Sequence, residues 1–457
     1  MDPVTHGLVG AAAGLSISSA SQRKGLLGAS VGSDALERRW AVALCGLIAG
    51  ELPDADRIID LFFNQFGEDG RGLSYMLYHR GPTHTVLACL VAAPLLALLT
   101  RAIARRVRLP FWQLVSIAGT GLLLHLAMDG MNDYGIHPFP PLSQRWFYGD
   151  FLFLGEPTLW AALLPYILSM LGVRPHQLIA VCAVLGVLIF PALVLMKQWL
   201  MPLGAVIALL CLVVQASLQR HGPRSVIAWT SVALVLIVFF SASRFARAQA
   251  LSWTAQLAPR EHVIEVVTTP APANPFCWRV ITVTRDGDSF VARMGMLSFS
   301  RFVDATTCYS PPKGILPRSA CGLILCRPLL ANVRQFAEFS GSFSAFERLA
   351  ENPRVGATRH FLRVPFWGLD ARSNTCNAPS NLDHGAQNIC AKAAVSPAHR
   401  PCPQPSRLLI GDLRVDYDKD DVGEFCKYPF SDPGKESYDD RWPVAEPRFF
   451  PDGARPR

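Results

Sequence analysis

The sequence predicts a mainly α protein, with a polytopic helical membrane domain of about eight helices followed by a smaller β-rich or α+β extracytoplasmic domain. Three observations carry this. The 457 residues are 51% hydrophobic and only 17% charged, with a mean hydropathy of +0.26, against about 25% charged residues in an ordinary soluble domain. Most apolar runs precede Phe240, whereas the chain after about Arg247 is charged, Pro-rich and Cys-rich. Titratable residues also stand near the ends of apolar runs, above all His125 and Asp129 in the run from Phe111. Residues 1–247 therefore read as the membrane domain and 248–457 as a Cys-rich soluble domain.

Runs of roughly 17–25 apolar residues suit a bilayer crossing. Strong candidates are Thr83–Thr100, Phe111–Met128, Phe151–Gly172, Gln177–Met196, Pro202–Leu218 and Val226–Phe240. Val4–Ala20 and Trp40–Leu52 are weaker and shorter, but rich in Gly and Ala, as tightly packed membrane helices often are. The start of the chain has neither a basic n-region nor a signal-type apolar core, so it is expected to be retained.

The net charge of +8 and pI near 9.0 do not indicate nucleic acid, because the arginines cluster beside apolar runs. Flanking charge of that kind sets membrane orientation. Arg101, Arg105, Arg106 and Arg108 place the link after the third segment in the cytoplasm. Alternating from there, Lys197, Arg244 and Arg247 fall outside against the rule, and so does the 57–80 loop, whose acids partly offset its bases. The same alternation puts His6, Asp54, Asp56, His79, His84, His125 and Asp129 at the outer ends of their helices. A bacterial inner-membrane, multi-pass protein with a periplasmic tail is the expectation.

Eight cysteines lie in the tail: Cys277, Cys308, Cys321, Cys326, Cys376, Cys390, Cys402 and Cys426. An even number outside the cytoplasm suggests disulfides, of undeducible pairing; zinc binding is the alternative, without paired CxxC spacing to favour it. Cys45, Cys89, Cys182 and Cys211 lie in apolar segments and read as packing residues. His262–Thr268, Val280–Thr284 and Leu408–Val415 read as strands, with a hairpin turn at Arg285–Asp288. Residues 371–407 read as disulfide-braced loops and Pro443–Arg457 as disordered.

At i and i+4, His125 and Asp129 share one helix face, which suits two ligands of one metal ion. Burying both without a partner is costly. Each of the other candidates has a plainer alternative. His6 suits a membrane boundary, Asp54 is a solvated carboxylate at a helix end, Asp56 pairs with Arg57, and His84 caps a helix after the Gly81-Pro82 break. His79 closes the preceding loop. Arg57 and Arg80 are candidates for holding a phosphate through paired N–H donors, or else interface anchors. Asp133, His137 and Asp150, in an aromatic and Pro-rich outer loop, are candidate extensions of the site.

THGLVGA (Thr5–Ala11), LPDAD (Leu52–Asp56), HRGPTH (His79–His84) and HLAMDGMNDYG (His125–Gly135), followed by Gly149-Asp150, resemble the LexA-regulated, inner-membrane metal-dependent hydrolases of bacteria. The likeness covers roughly residues 1–160, and more weakly TPAPANPFCWRV (Thr269–Val280) and GDLRVDY (Gly411–Tyr417). That family is distantly similar to the zinc-dependent phospholipase C and single-strand nuclease superfamily. The resemblance implies metal roles for His6, Asp54, His79, His84, His125 and Asp129, with His137 as a further ligand at an unusually long spacing.

The expected function is a hydrolase holding a divalent metal, with zinc favoured, and acting with metal-activated water on a phosphoester or lipid-linked substrate in the bilayer. One of Asp54, Asp56 or Asp129 orients or deprotonates the water. The alternatives are a metal or proton transporter, and a non-catalytic envelope protein whose tail binds a partner. Ligands crowded at one end of the helices argue against a transporter, whose sites lie near the midplane.

Overall fold

A computed structural model of the chain describes residues 2–23, 33–56, 80–173, 223–299, 308, 328–330, 333–344, 347, 365–369 and 408–412. Among them are six α-helices: α1 (Pro3–Arg23), α2 (Ser33–Glu51), α3 (Val86–Ile103), α4 (Phe111–Asp129), α5 (Pro157–Met170) and α6 (Arg224–Leu257). These answer to six of the eight expected segments. Gln177–Met196 and Pro202–Leu218 lie outside the described residues, so a count of eight has no structural support. Among the described residues, α3, α4 and α6 are long and apolar enough to cross a membrane. The 18 residues of α3 and 19 of α4 extend about 27–29 Å, near the thickness of a bilayer's hydrocarbon core.

Local chemistry moves several boundaries. The third apolar run starts its helix at Val86, because Thr85 is extended and its hydroxyl accepts from the Ala88 N–H at 3.0 Å. Thr85, and not His84, is the cap. The fifth run is helical only from Pro157, since Glu156 caps it by accepting from the Thr158 N–H at 3.1 Å. Proline in the first turn loses no helical hydrogen bond. Helix α6 continues past Phe240 and unbroken through Arg247 to Leu257.

Helices α1 and α2 meet along a glycine seam. A Cβ on Gly10 would stand 2.1 Å from the Gly46 carbonyl oxygen, and one on Gly50 2.3 Å from that of His6. Glycines four apart let two backbones approach closely. Against this pair packs α4, where a Cβ on Gly121 would lie 2.7 Å from Ala49 Cβ. The seam therefore fixes the start of α1, the end of α2 and the last turns of α4 at one end of the bundle.

The tail contributes β1 (His262–Ala271), β2 (Asn274–Asp286), β3 (Ser289–Ser298), β4 (Pro328–Leu330) and β5 (Val333–Ser342), an antiparallel sheet of order β1-β2-β3-β5-β4. Strands β6 (Pro365–Leu369) and β7 (Leu408–Asp412) pair separately. The expected strands and the turn, with Gly287 at φ 56°, are present. The Cys277–Cys308 disulfide is formed, as expected of tail cysteines; the other six tail cysteines lie outside the described residues. So do residues 371–407 and 443–457. Cys45 and Cys89 are buried and free.

The sheet is joined to the helical bundle. Ser243, Ala246, Ala250, Trp253 and Thr254 are buried on α6 at helical spacing, and that helix packs on β1 and β2. Trp253, Val266, Trp278 and Val280 belong to one buried cluster with membrane-helix residues such as Leu114 and Leu122.

Candidate metal centre

Four chain segments deliver polar side chains to one buried point. His6 comes from the first turn of α1. Asp54 and Asp56 come from a one-turn 3₁₀ helix (Leu52–Ala55) and its end. His84 closes a second 3₁₀ turn (Pro82–His84). Pro53 and Pro82 preset φ in these turns. His125 and Asp129 come from the last turns of α4. The sequence expectation that these residues share one end of their helices is met by all six. His79 and Arg57 lie outside the described residues.

Asp54, His84, His125 and Asp129 each offer an atom within 4.8 Å of the others, a grouping that could hold a metal ion. The two imidazole Nε2 atoms face each other at 3.2 Å. His84 Nε2 lies 3.3 Å from Asp54 Oδ1 and 3.5 Å from Asp129 Oδ2. His125 Nε2 lies 3.8 and 3.6 Å from the same two oxygens. The outward nitrogens are held by other groups. His125 Nδ1 donates to the Gly50 carbonyl at 2.6 Å. His84 Nδ1 lies 3.0 Å from Thr83 Oγ1 and 3.5 Å from Asp56 Oδ2. With the proton on Nδ1, both rings turn an Nε2 lone pair inward, the tautomer of a metal ligand fixed by its outer partner. Two imidazoles and two carboxylates form a donor set that fits zinc and similar ions.

The electrostatics agree with a cation-attracting point. Burial alone would raise the Asp54 carboxyl, but the hydrogen bond from His84 and the charge of His125 outweigh it and hold the group below the usual carboxylate range. His84 moves upward: burial opposes its charge, and hydrogen bonds to Asp129 and Asp54 overcome that.

His6 stands at the edge. Its Nε2 is 3.4 Å from Asp129 Oδ1, and its ring stacks on His125 with centroids 3.7 Å apart. Asp56 lies 3.5 Å from His84 Nδ1 and accepts from the Arg80 N–H at 3.1 Å. Its place is to orient His84.

Arg80 is corrected most. Expected to clamp a phosphate or anchor at the interface, it is buried, and its guanidinium is turned to the protein. Nη2 donates to Asp129 Oδ1 at 2.7 Å, and Nη1 to the Gly135 carbonyl at 2.6 Å and Asn132 Oδ1 at 3.3 Å. Its backbone is left-handed, φ 59°, a conformation that a non-glycine residue keeps only where its surroundings dictate it.

Asp133, His137 and Asp150 do not join the four. Asp133 accepts from Thr269 Oγ1 at 2.6 Å and Arg279 Nη2 at 3.1 Å. The Asp150 carbonyl accepts from Thr268 Oγ1 at 2.8 Å and Ser243 Oγ at 2.9 Å. His137 stacks on Trp146, centroids 4.2 Å apart. The two aspartates instead tie the loop between α4 and α5 to β1, β2 and α6. The Thr269–Val280 motif is the tip of the docking hairpin, and its Ala273 N–H donates to Glu156 at 3.4 Å. Sequence reasoning misses Asn132, Thr83 and the Gly50 carbonyl as supports. Asn132 stands inside the HLAMDGMNDYG motif, the one signal that points to it.

The fold and site define a mostly helical protein with three candidate membrane-spanning helices among the described residues and a buried His/Asp cluster at one end of its bundle. Residues 1–201 match the profile of the YdjM inner membrane protein family, in keeping with the inner-membrane part of the expected resemblance. No curated protein and no solved structure shows significant similarity to the chain.

Proposed function

We propose that the chain is a multi-pass inner-membrane hydrolase with a periplasmic tail, whose Asp54, His84, His125 and Asp129 hold a divalent ion, zinc for preference, and whose substrate is a phosphoester. The observation that carries the metal reading is the pair of facing Nε2 atoms, 3.2 Å apart and fully buried between two carboxylates. Two such lone pairs and two anions in one buried place repel each other until a proton or a metal ion neutralises them, and four converging donors suit the metal. When bound, a divalent ion lowers the pKa of a water and offsets charge that develops on phosphoryl oxygens.

The residues divide the remaining work. His84 and His125 supply neutral nitrogen donors, oriented by Asp56 with Thr83 and by the Gly50 carbonyl. Arg80 fixes the Asp129 carboxylate and offsets its charge. Asp54 is the most accessible of the four, with 8% of its side chain exposed, and its Oδ2 has no hydrogen-bond partner. It is therefore the carboxylate placed to orient a water that enters. The arginines at the far end of α3 support a periplasmic site. The ends of the helices, and not their middles, hold the cluster, which favours hydrolysis over transport.

Purified protein in detergent, assayed on para-nitrophenyl phosphate and on phospholipid vesicles, tests this. We expect turnover that stops on chelation, returns with zinc and falls at least ~10²-fold in Asp54→Asn. Turnover that survives chelation would contradict the reading. Full metal occupancy without turnover on either substrate would remove the hydrolase and leave a metal-binding protein.

A further inference from the structure

The loop between α4 and α5 carries a feature that the metal site does not use. Ile136 and Phe147 pair as an isolated bridge, with N–H to carbonyl distances of 2.9 and 2.8 Å. Between them the Ser143 N–H donates to the Phe139 carbonyl at 3.0 Å. The loop is thus closed by backbone hydrogen bonds, yet it turns Phe139, Leu142 and Phe147 outward while Ile136 is buried. Leu142 is 93% exposed, Phe139 45% and Phe147 39%. Arg145 lies over the Phe147 ring, 5.4 Å from its centroid. Residues 136–147 contain no acid.

The loop's position identifies what covers it. Its Pro138 carbonyl accepts from the N–H of Val86, the first residue of α3, at 2.8 Å. That helix presents an exposed apolar flank of Leu87, Leu90, Val91, Leu95, Leu98 and Leu99. Its other end runs into Arg105 and Arg106, which mark the opposite headgroup layer. A helix of 18 residues spans about 27 Å, so its Val86 end lies at the other boundary of the hydrocarbon. The loop seated there meets the headgroups. Aromatic rings and a cation beside apolar side chains are the composition of an interfacial anchor.

We infer that the loop from Ile136 to Phe147 inserts Phe139, Leu142 and Phe147 into the headgroup–acyl boundary of the bilayer that α3 crosses, with Arg145 against anionic headgroups. The same end of the bundle holds the His/Asp cluster, but the insertion needs neither metal nor catalysis.

The test uses full-length protein in vesicles of phosphatidylcholine and phosphatidylglycerol. An environment-sensitive fluorescent amino acid is encoded at Leu142, or at Asp286, exposed beside the β2–β3 turn, and lipids carry a spin-label quencher at a shallow acyl position. We expect strong quenching at position 142 and little at 286, with quenching at 142 reduced by Arg145→Glu and by replacing the anionic lipid. Emission at 142 as water-like as at 286 would overturn the inference. So would shielded emission at 142 that lipid quenchers leave untouched, since another protein surface would then cover the loop. Because every substituted residue is exposed, the protein should fold in every arm, and an unchanged melt in detergent verifies it.

Discussion

At the scale of single residues, the decisive arrangement is a buried arginine spent on a buried carboxylate. Arg80 Nη2 and Asp129 Oδ1 are 2.7 Å apart with almost no exposure. Removing one partner of such a pair leaves an uncompensated charge, which costs about 3–5 kcal/mol. Arg80→Met should therefore lower stability in detergent by that order and loosen Asp129, and a thermal or denaturant melt measures it. An unchanged melt would mean that the pair contributes nothing. The sequence makes His125 and Asp129 readable, because i and i+4 spacing inside an apolar run leaves few harmless explanations. It does not make Arg80 readable, because its partners include the Gly135 carbonyl and Asn132, distant in the chain and placed only by the fold. For the same reason Asp133 and Asp150 read as extensions of the site. They sit in the right loop, but face the hairpin at Thr268, Thr269 and Arg279.

At the scale of elements, the cluster depends on how closely α1 and α2 approach. Gly46 faces the Gly10 carbonyl so tightly that a Cβ would come within 2.1 Å. Gly46→Leu must push the helices apart, at a cost of at least about 1–3 kcal/mol. It should also displace Gly50, one turn further along α2, whose carbonyl orients His125, and so weaken metal binding. Native metal content in a Gly46→Leu protein would show that the seam does not set the site. The Gly and Ala richness of these segments is enough by itself to indicate close packing. Helix ends are harder to read, since hydropathy reports where apolar residues stop and not where hydrogen bonding does. Thus α6 runs on beyond Phe240, because Ser243, Ala246 and Ala250 bury a stripe against the sheet, whereas Glu156 and Pro157 delay the start of α5.

At the scale of the molecule, the tail is docked on the bundle through contacts that pH should loosen. Glu156 is buried, accepts from Thr158, and meets the Ala273 N–H at the hairpin tip. Burial pushes its carboxyl up to about 7, from an ordinary value of 4.5. A folded value above the unfolded one means the fold favours the protonated form. Its contribution is fully present below about 4.5 and is lost as pH rises through about 7. The docked hairpin should therefore be protected more strongly at pH 5 than at pH 8 in amide exchange, and Glu156→Gln should flatten that difference. A pH dependence unchanged by the substitution would assign it to other groups. This docking is not legible in the sequence: composition separates an apolar half from a polar one, but cannot say that the halves share a buried cluster.

The central claim is that Asp54, His84, His125 and Asp129 form one metal site, and elemental analysis of purified protein tests it most directly. The wild type should carry stoichiometric divalent metal, as should Glu261→Gln, a change just before β1, where Glu261 pairs with Arg293 of β3 away from the site. His125→Ala and Asp129→Ala should lose it while the protein remains inserted, because the apolar runs are intact. Asp56→Asn, at a carboxylate that meets the outer nitrogen of His84 and the Arg80 N–H, should weaken binding by the roughly 10–100-fold of a supporting residue. Full occupancy in His125→Ala and Asp129→Ala alike would contradict the claim, and the cluster would then be a feature of helix packing alone.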